Sequence, residues 1–362
     1  MEKTINIEVK KYELSDDSEY LFTCAELKAR EYEFIDKTKL DRMAAAKGTD
    51  DFLKILSETV YAKKANLIDD DKDMDTFLLK SYKEIVDFLL ERLTEKHKSL
   101  IYLLFLEEYL HDFKLGLKSS ILNISLENLF IPLTFSYNEL NEFLKKDSAD
   151  TDSENSDIFL KIIQDILILK RELQTEAELK KEKKMNFRKS EIAFEKKFIS
   201  LILEEISKTG SCMLTDYLRH WIDIQNIKNM NRIKYAGEDL RYSDFLYSGG
   251  LIDINSFQAL ESESPDYWAR AFEKSAYGEI AIKGINSLYS YGSFFSFEKN
   301  ESLFNLKFFE QIKYSVSNAE KIFAFFLRKK TELIVMNMIY MGIKYNAEKR
   351  NIEHKAEFLS ES

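Results

Sequence analysis

Apolar residues recur at three- and four-residue intervals along most of this chain, and a few polar clusters interrupt them. Over residues 20–43, charged side chains alternate with Leu27, Tyr32, Phe34, Ile35 and Leu40, which predicts a helix or a pair of helices. Residues 44–48 offer a stop, with Gly48 at the cap. Thr49, Asp50 and Asp51 open a second helix over 52–61, their acidic side chains suiting the positive end of its dipole. Residues 76–117 carry a strong helical pattern that includes the uninterrupted apolar run 100–106, and Pro132 with residues 123–130 marks a boundary. Residues 158–208 predict the longest helical stretch, apolar at both ends and highly charged between Glu172 and Lys189. It ends at Thr209-Gly210-Ser211. Ser248-Gly249-Gly250 makes a tight connection, residues 300–345 return to helix, and 346–362 form a polar tail.

A stretch of about fifteen residues recurs three times in this pattern. In step from Tyr109, Asp223 and Glu332, the next residues are Leu110, Ile224 and Leu333, then Phe113, Ile227 and Met336 at the fourth step. The fifth step gives Lys114, Lys228 and Asn337, and the thirteenth gives Leu122, Ala236 and Tyr345. Steps one, four and thirteen fall on one side of a 3.6-residue helix, with Gly116 interrupting the first apolar stripe. The fourteenth step gives Asn123, Gly237 and Asn346, residues that enter the left-handed region closing a helix most easily. The spacing is 114 residues from 123 to 237 and 109 from 237 to 346. The pattern predicts three related helical units, over 1–125, 126–240 and 241–362, the second holding an acidic loop at 145–157 and the long stretch 158–208.

Composition sharpens the fold class. Only 10 Gly and 2 Pro occur in 362 residues, and hairpins and βα loops need both, so the chain is all-α. With 45% apolar and 32% charged residues it can bury a large core beneath a well-solvated surface. A net charge of −10 argues against a general nucleic-acid binder, which needs a basic face to displace counterions. No apolar signal core precedes residue 12, and the run 100–106 is too short to cross a bilayer of about 30 Å, so no direct transmembrane insertion is expected. Cys24 and Cys212 have no metal-type spacing, and a reducing compartment suits them.

Candidate chemistry is sparse. Asp69, Asp71 and Asp73 match three calcium-loop positions, but Met74 stands where the turn glycine belongs and Lys80 where the bidentate glutamate belongs. They read as a solvated loop capping the helix from Thr76. Lys180, Lys181, Lys183 and Lys184 could meet anionic lipid or a partner, and read more simply as the solvated middle of a helix. The four histidines form no zinc pattern, no phosphate-loop or nucleophile-elbow motif occurs, and neither cysteine has a positioned base. No catalytic residue, cofactor site or metal site is assigned. Asp223, Asn226, Lys228 and Arg232, with Lys114, are the candidates for a partner interface: either a polar patch gripping another subunit or hydrogen bonds between repeat units.

Three segments carry a family resemblance. Residues 24–31 with 40–43 and 52–61 resemble the N-terminus of the C-type subunit of bacterial and archaeal V/A-type ATPases, whose eukaryotic counterpart is the d-type subunit. The acid-x-x-Asn-apolar-Lys helix from Asp223 to Gly237, the Gly249-Gly250-Leu251 that comes after it, and residues 323–344 resemble the rest of that family's pattern. The chain departs from it in its wealth of Phe and Tyr, in the 145–157 tract, and in Asn337 and Met341, where basic residues are common. The resemblance implies three similar helical units arranged as a funnel around a pseudo-threefold axis. It also implies a non-catalytic coupling subunit on the cytoplasmic face of the membrane, whose partners are the central rotor stalk and the proteolipid rotor ring. The other reading is a helical-repeat scaffold for regulatory partners.

Overall fold

The computed structural model describes residues 4–65, 68, 73–145, 158–180, 187–237 and 241–347. Among them every regular element is helical, as the shortage of Gly and Pro requires. The chain forms two compact units: unit 1 combines Met1–Arg92 with Glu263–Ser362, and unit 2 is Leu93–Ser262. In unit 1 the first half supplies α1 (Leu21–Ala29), α2 (Lys37–Ala44), α3 (Thr49–Leu56), α4 (Ala62–Ala65) and α5 (Asp73–Arg92). Unit 2 supplies α6 (Leu100–Leu104), α7 (Leu106–Leu122), α8 (Tyr137–Lys145), α9 (Ile158–Lys180), α10 (Phe187–Lys208), α11 (Cys212–Ala236) and α12 (Ile254–Gln258). Unit 1 resumes with α13 (Pro265–Phe272), α14 (Gly278–Tyr291), α15 (Phe295–Phe308) and α16 (Ala319–Lys344).

The repeat-helix stops fall where the left-handed residues predicted them. Asn123, Gly237 and Asn346 come after α7, α11 and α16 with φ of 53°, 65° and 52°, and the two asparagines are the only non-glycine residues with positive φ among those described. Steps one and four are buried in all three copies. Step thirteen is not: Leu122 is 48% and Tyr345 68% exposed, and Ala236 is exposed too. Each lies at the end of its helix, past the point where the helix still touches its core.

Other boundaries differ for local reasons. The pattern over 76–117 is broken after Arg92, where Thr94 turns extended and the chain passes from one unit to the other. α3 ends at Leu56 rather than Tyr61 because Ser57 and Thr59 hydroxyls take the carbonyls of Lys54 and Leu56. Gly48 caps the start of α3 in an extended conformation instead of closing α2. Residues 146–157, 69–72, 181–184 and 348–362, which include the acidic tract, most of the aspartate loop, the basic run and the tail, lie outside the described residues.

Each unit has its own aromatic core. In unit 2, Phe113 on α7 meets Phe135, Phe159, Phe194 and Phe198 at ring-centroid distances of 5.1 to 6.3 Å. In unit 1, α16 packs against α1, α2, α3 and α5, with Phe52 edge-on to Tyr340 and Phe88 against Phe326. Gly116, the gap in the first stripe, admits α8: a Cβ there would stand 2.6 Å from the buried Leu140 side chain. Gly284 on α14 lies still closer to the ring of Phe297 on α15, where a Cβ would meet ring atoms at 2.3 to 2.6 Å.

A fully buried ring cannot swing aside as a leucine methyl can. Overpacking of this kind costs about 1–3 kcal/mol, while the helix-propensity gain from Gly to Ala is about 1 kcal/mol at most. Gly284→Ala is therefore expected to lower the urea midpoint of the isolated chain; an unchanged or raised midpoint would show that α14 and α15 do not meet this closely.

Candidate functional site

The repeat helices α7, α11 and α16 each carry a buried carboxylate, and each carboxylate holds the backbone of a segment outside its own helix. Asp112, Asp223 and Glu332 are exposed by only 1, 0 and 2%. An extended segment laid on a core has backbone N–H groups that no helix or sheet satisfies, and a buried acceptor must meet them. These three residues supply that acceptor.

On α11 the arrangement is a zip. Asp223 accepts the N–H groups of Leu251 at 3.0 Å and Ile252 at 3.2 Å. One turn on, Asn226 mimics a backbone unit, donating to the Tyr247 carbonyl at 2.9 Å and accepting the Tyr247 N–H at 2.7 Å. A further turn on, Asn229 donates to the carbonyl of Phe245. The segment thus runs antiparallel to the helix, one polar side chain per turn. Gly249 makes the bend with φ of 94°, and Gly250 lets the backbone come so close to Asp223 that a Cβ would overlap the carboxylate.

α7 builds the same device with other residues. Asp112 accepts the Ile131 N–H at 2.9 Å, the Tyr109 hydroxyl meets Thr134 Oγ1 at 3.0 Å, and His111 Nε2 reaches the Leu129 carbonyl at 3.0 Å. Nearer its C-terminus, Ser119 donates to the Ile124 carbonyl at 2.7 Å. This segment, 124–136, is again antiparallel to its helix. Burial pushes the Tyr109 hydroxyl well above the ordinary tyrosine range and lifts the Asp112 carboxyl to about 8, with the single N–H acting against it.

On α16, Glu332 gathers the Ile35 N–H at 2.6 Å, the Tyr61 hydroxyl at 2.8 Å and the Lys329 ammonium at 3.0 Å. Lys329 also reaches the Glu33 carbonyl and lies over the rings of Phe34 and Tyr61. Burial and the charge of Glu332 raise the Tyr61 hydroxyl pKa, so this tyrosine donates and does not ionise. The chain beyond the tie is built as on α11: Ile35 and Ile252 each precede an aspartate, Asp36 or Asp253, that caps a helix through its own side chain. Leu40, Met43, Phe52, Leu56 and Tyr61 then correspond to Phe257, Leu260, Trp268, Phe272 and Tyr277, all buried.

The five interface candidates are distributed accordingly. Asp223 and Asn226 are consumed in the α11 zip, and Lys228 is buried on the same helix, so none of the three offers surface. Lys114 is partly exposed and pairs with Glu195 on α10 at 2.5 Å. Arg232 is exposed near the end of α11, with Asn229 Oδ1 at 3.4 Å. Both nevertheless border the α11 zip: the other oxygen of Glu195 accepts the Tyr247 hydroxyl at 2.7 Å, Tyr247 is the residue that Asn226 holds, and the charge of Arg232 acts on that hydroxyl. Asp112 and Glu332 are not among the sequence candidates, although a lone acid inside an apolar stripe is a signal for both.

Cys24 is buried and Cys212 exposed, both as free thiols. Among the described residues no group of three His, Cys, Asp or Glu gathers as a metal site, and no helix is long and apolar enough to cross a membrane. The chain matches the ATP synthase (C/AC39) subunit family over residues 23–355. It belongs to that family. The matched range spans all three repeat helices and the ties described above. A comparison with curated proteins found no match.

If Asp223 serves the fold, removing its carboxylate leaves two buried N–H groups without an acceptor, at about 1–3 kcal/mol each. Asp223→Ala is expected to lower the unfolding free energy of the isolated chain by roughly 2–6 kcal/mol. A variant with wild-type stability but impaired capture of partner subunits would return Asp223 to the interface.

Proposed function

We propose that this chain is the non-catalytic central-stalk coupling subunit of a V/A-type rotary ATPase. It joins the rotor stalk to the membrane proteolipid ring on the cytoplasmic face and transmits torque for ion transport or ATP synthesis. The observation that carries this reading is the family match across residues 23–355, nearly the whole chain.

The proposed architecture is three helical units, 1–125, 126–240 and 241–362, arranged as a funnel about a pseudo-threefold axis. The recurrence of the same kind of tie on three helices supports three related units. α7 in the first repeat holds Ile131 in the second, α11 in the second holds Leu251 and Ile252 in the third, and α16 in the third holds Ile35 in the first. The first two links lie inside the compact unit Leu93–Ser262 and the third inside the unit formed by both ends of the chain. The chain start is also stitched to the third repeat, where Asp16 accepts the N–H groups of Val316 and Ser317.

A torque coupling needs stiffness and broad contact, and no chemistry. Buried polar ties supply stiffness because breaking one strands a desolvated group. Contact with neighbouring subunits would then fall to exposed side chains such as Arg232, with Lys114 at the edge of its ion pair, and not to the buried members of the α11 zip.

The test is capture of the tagged chain from membranes solubilised in mild detergent. Recovery of a proteolipid ring together with stalk subunits is the expected result. Recovery of soluble regulatory proteins without either would favour the scaffold reading.

A further inference from the structure

The three ties are unequal. Glu332 has three donors, one of them an ammonium, and Asp223 has two backbone N–H groups. Asp112 has one, from Ile131. A buried carboxylate with a single N–H is poorly compensated for its lost hydration, whereas a protonated carboxyl in the same place loses little. We propose that the tie between Asp112 and Ile131 is the releasable closure of the three, and that the strap 124–136 opens locally, at 129–131, as Asp112 gives up its proton, while Leu133 and Phe135 stay in the core. This rests on the local geometry and stands whatever complex the chain joins.

The charges around Asp112 give it no substitute partner. On α7, Glu108 stands one turn earlier and opposes ionisation, His111 is turned to the Leu129 carbonyl, and Lys114 and Lys118 are drawn to Glu195 and Glu191 of α10. The strap contributes Glu127, and Glu139 at the start of α8 accepts the Ser136 N–H and hydroxyl. On α9, Lys161 and Asp165 pair with Glu205 and Lys197 of α10, and Lys170 donates to the Leu144 carbonyl. The titratable group of α6 is Tyr102, which lies on the Tyr109 ring. Ionised Asp112 must therefore find water, and parting the backbone at 129–131 from α7 admits it.

The sign of the pH dependence is fixed by the raised carboxyl. With the strap closed it titrates near 8, and with the strap open near the ordinary 3.8. Closure is strongest below about pH 4 and weakens as pH rises toward 8, because each opening releases one proton across that window. Above 8 both forms are ionised and the dependence stops. One proton per opening corresponds to about a tenfold change in the opening constant per pH unit.

Hydrogen exchange of the full chain, read by mass spectrometry between about pH 5 and 9 and corrected for intrinsic rates, tests this. Protection of amides 129–131 is expected to fall about tenfold per pH unit up to roughly pH 7.5 and to level off above about 8. Amides 247–252, under Asp223, serve as the internal reference and are expected to show no such slope. Asp112→Asn, which keeps an acceptor oxygen and cannot ionise, is expected to abolish the slope in the strap. A flat profile for the strap, an equal slope in 247–252, or a slope that survives Asp112→Asn would overturn the proposal. If the variant does not fold, the two segments of the unmodified chain still decide.

Discussion

A backbone N–H cannot be left dry, and that constraint governs how this chain is put together. Helices satisfy their own backbone groups, so a helical protein meets the problem only where an extended segment crosses buried surface. Here such segments cross the repeat helices at 33–35, 124–136 and 245–252, and each is met by polar side chains projecting from the helix beneath. On α7 and α11 those side chains recur about once per turn, so the helix acts as a template to which the segment is laced. The apolar rows on the same helices bury against the core. One helix therefore serves two kinds of packing, which explains why α11 and α16 are buried on nearly every side.

The same economy fits a mechanical role. Van der Waals packing of helix on helix resists compression but allows sliding, since one ridge can ride into the next groove. A directed hydrogen bond to a buried backbone group does not slide, because any shift leaves both partners unpaired. Asp112, Asp223 and Glu332 stand apart on three helices, and each accepts a backbone N–H.

Much of the fold was legible because it depends on residues whose conformational preferences are strong. Asn123, Gly237 and Asn346 announce left-handed stops by type alone, and all three deliver them. The apolar periodicity locates the helices but not their ends, where Leu122 and Tyr345 stay exposed. The ties were legible in part. Asp223 and Asn226 stood out as polar residues on an apolar helix, yet nothing in the sequence distinguishes a buried acceptor from a surface contact. Their partners, Leu251 and Tyr247, contribute backbone atoms, which carry no residue signature. Asp112 was further hidden because the first repeat has Tyr109 where the second has Asp223, and its carboxylate comes one turn later.

Torque transfer requires a stiff element on the axis between stalk and ring, and the proposed role places this chain there. A three-dimensional electron-microscopy reconstruction of the purified membrane ATPase, with a rigid label fused to this chain, measures its position directly. The expected result is the chain on the rotor axis, as three lobes around a hollow, seated on the ring beneath the stalk. Density for the chain at the periphery, or an intact stalk–ring junction formed without it, would contradict the proposed role.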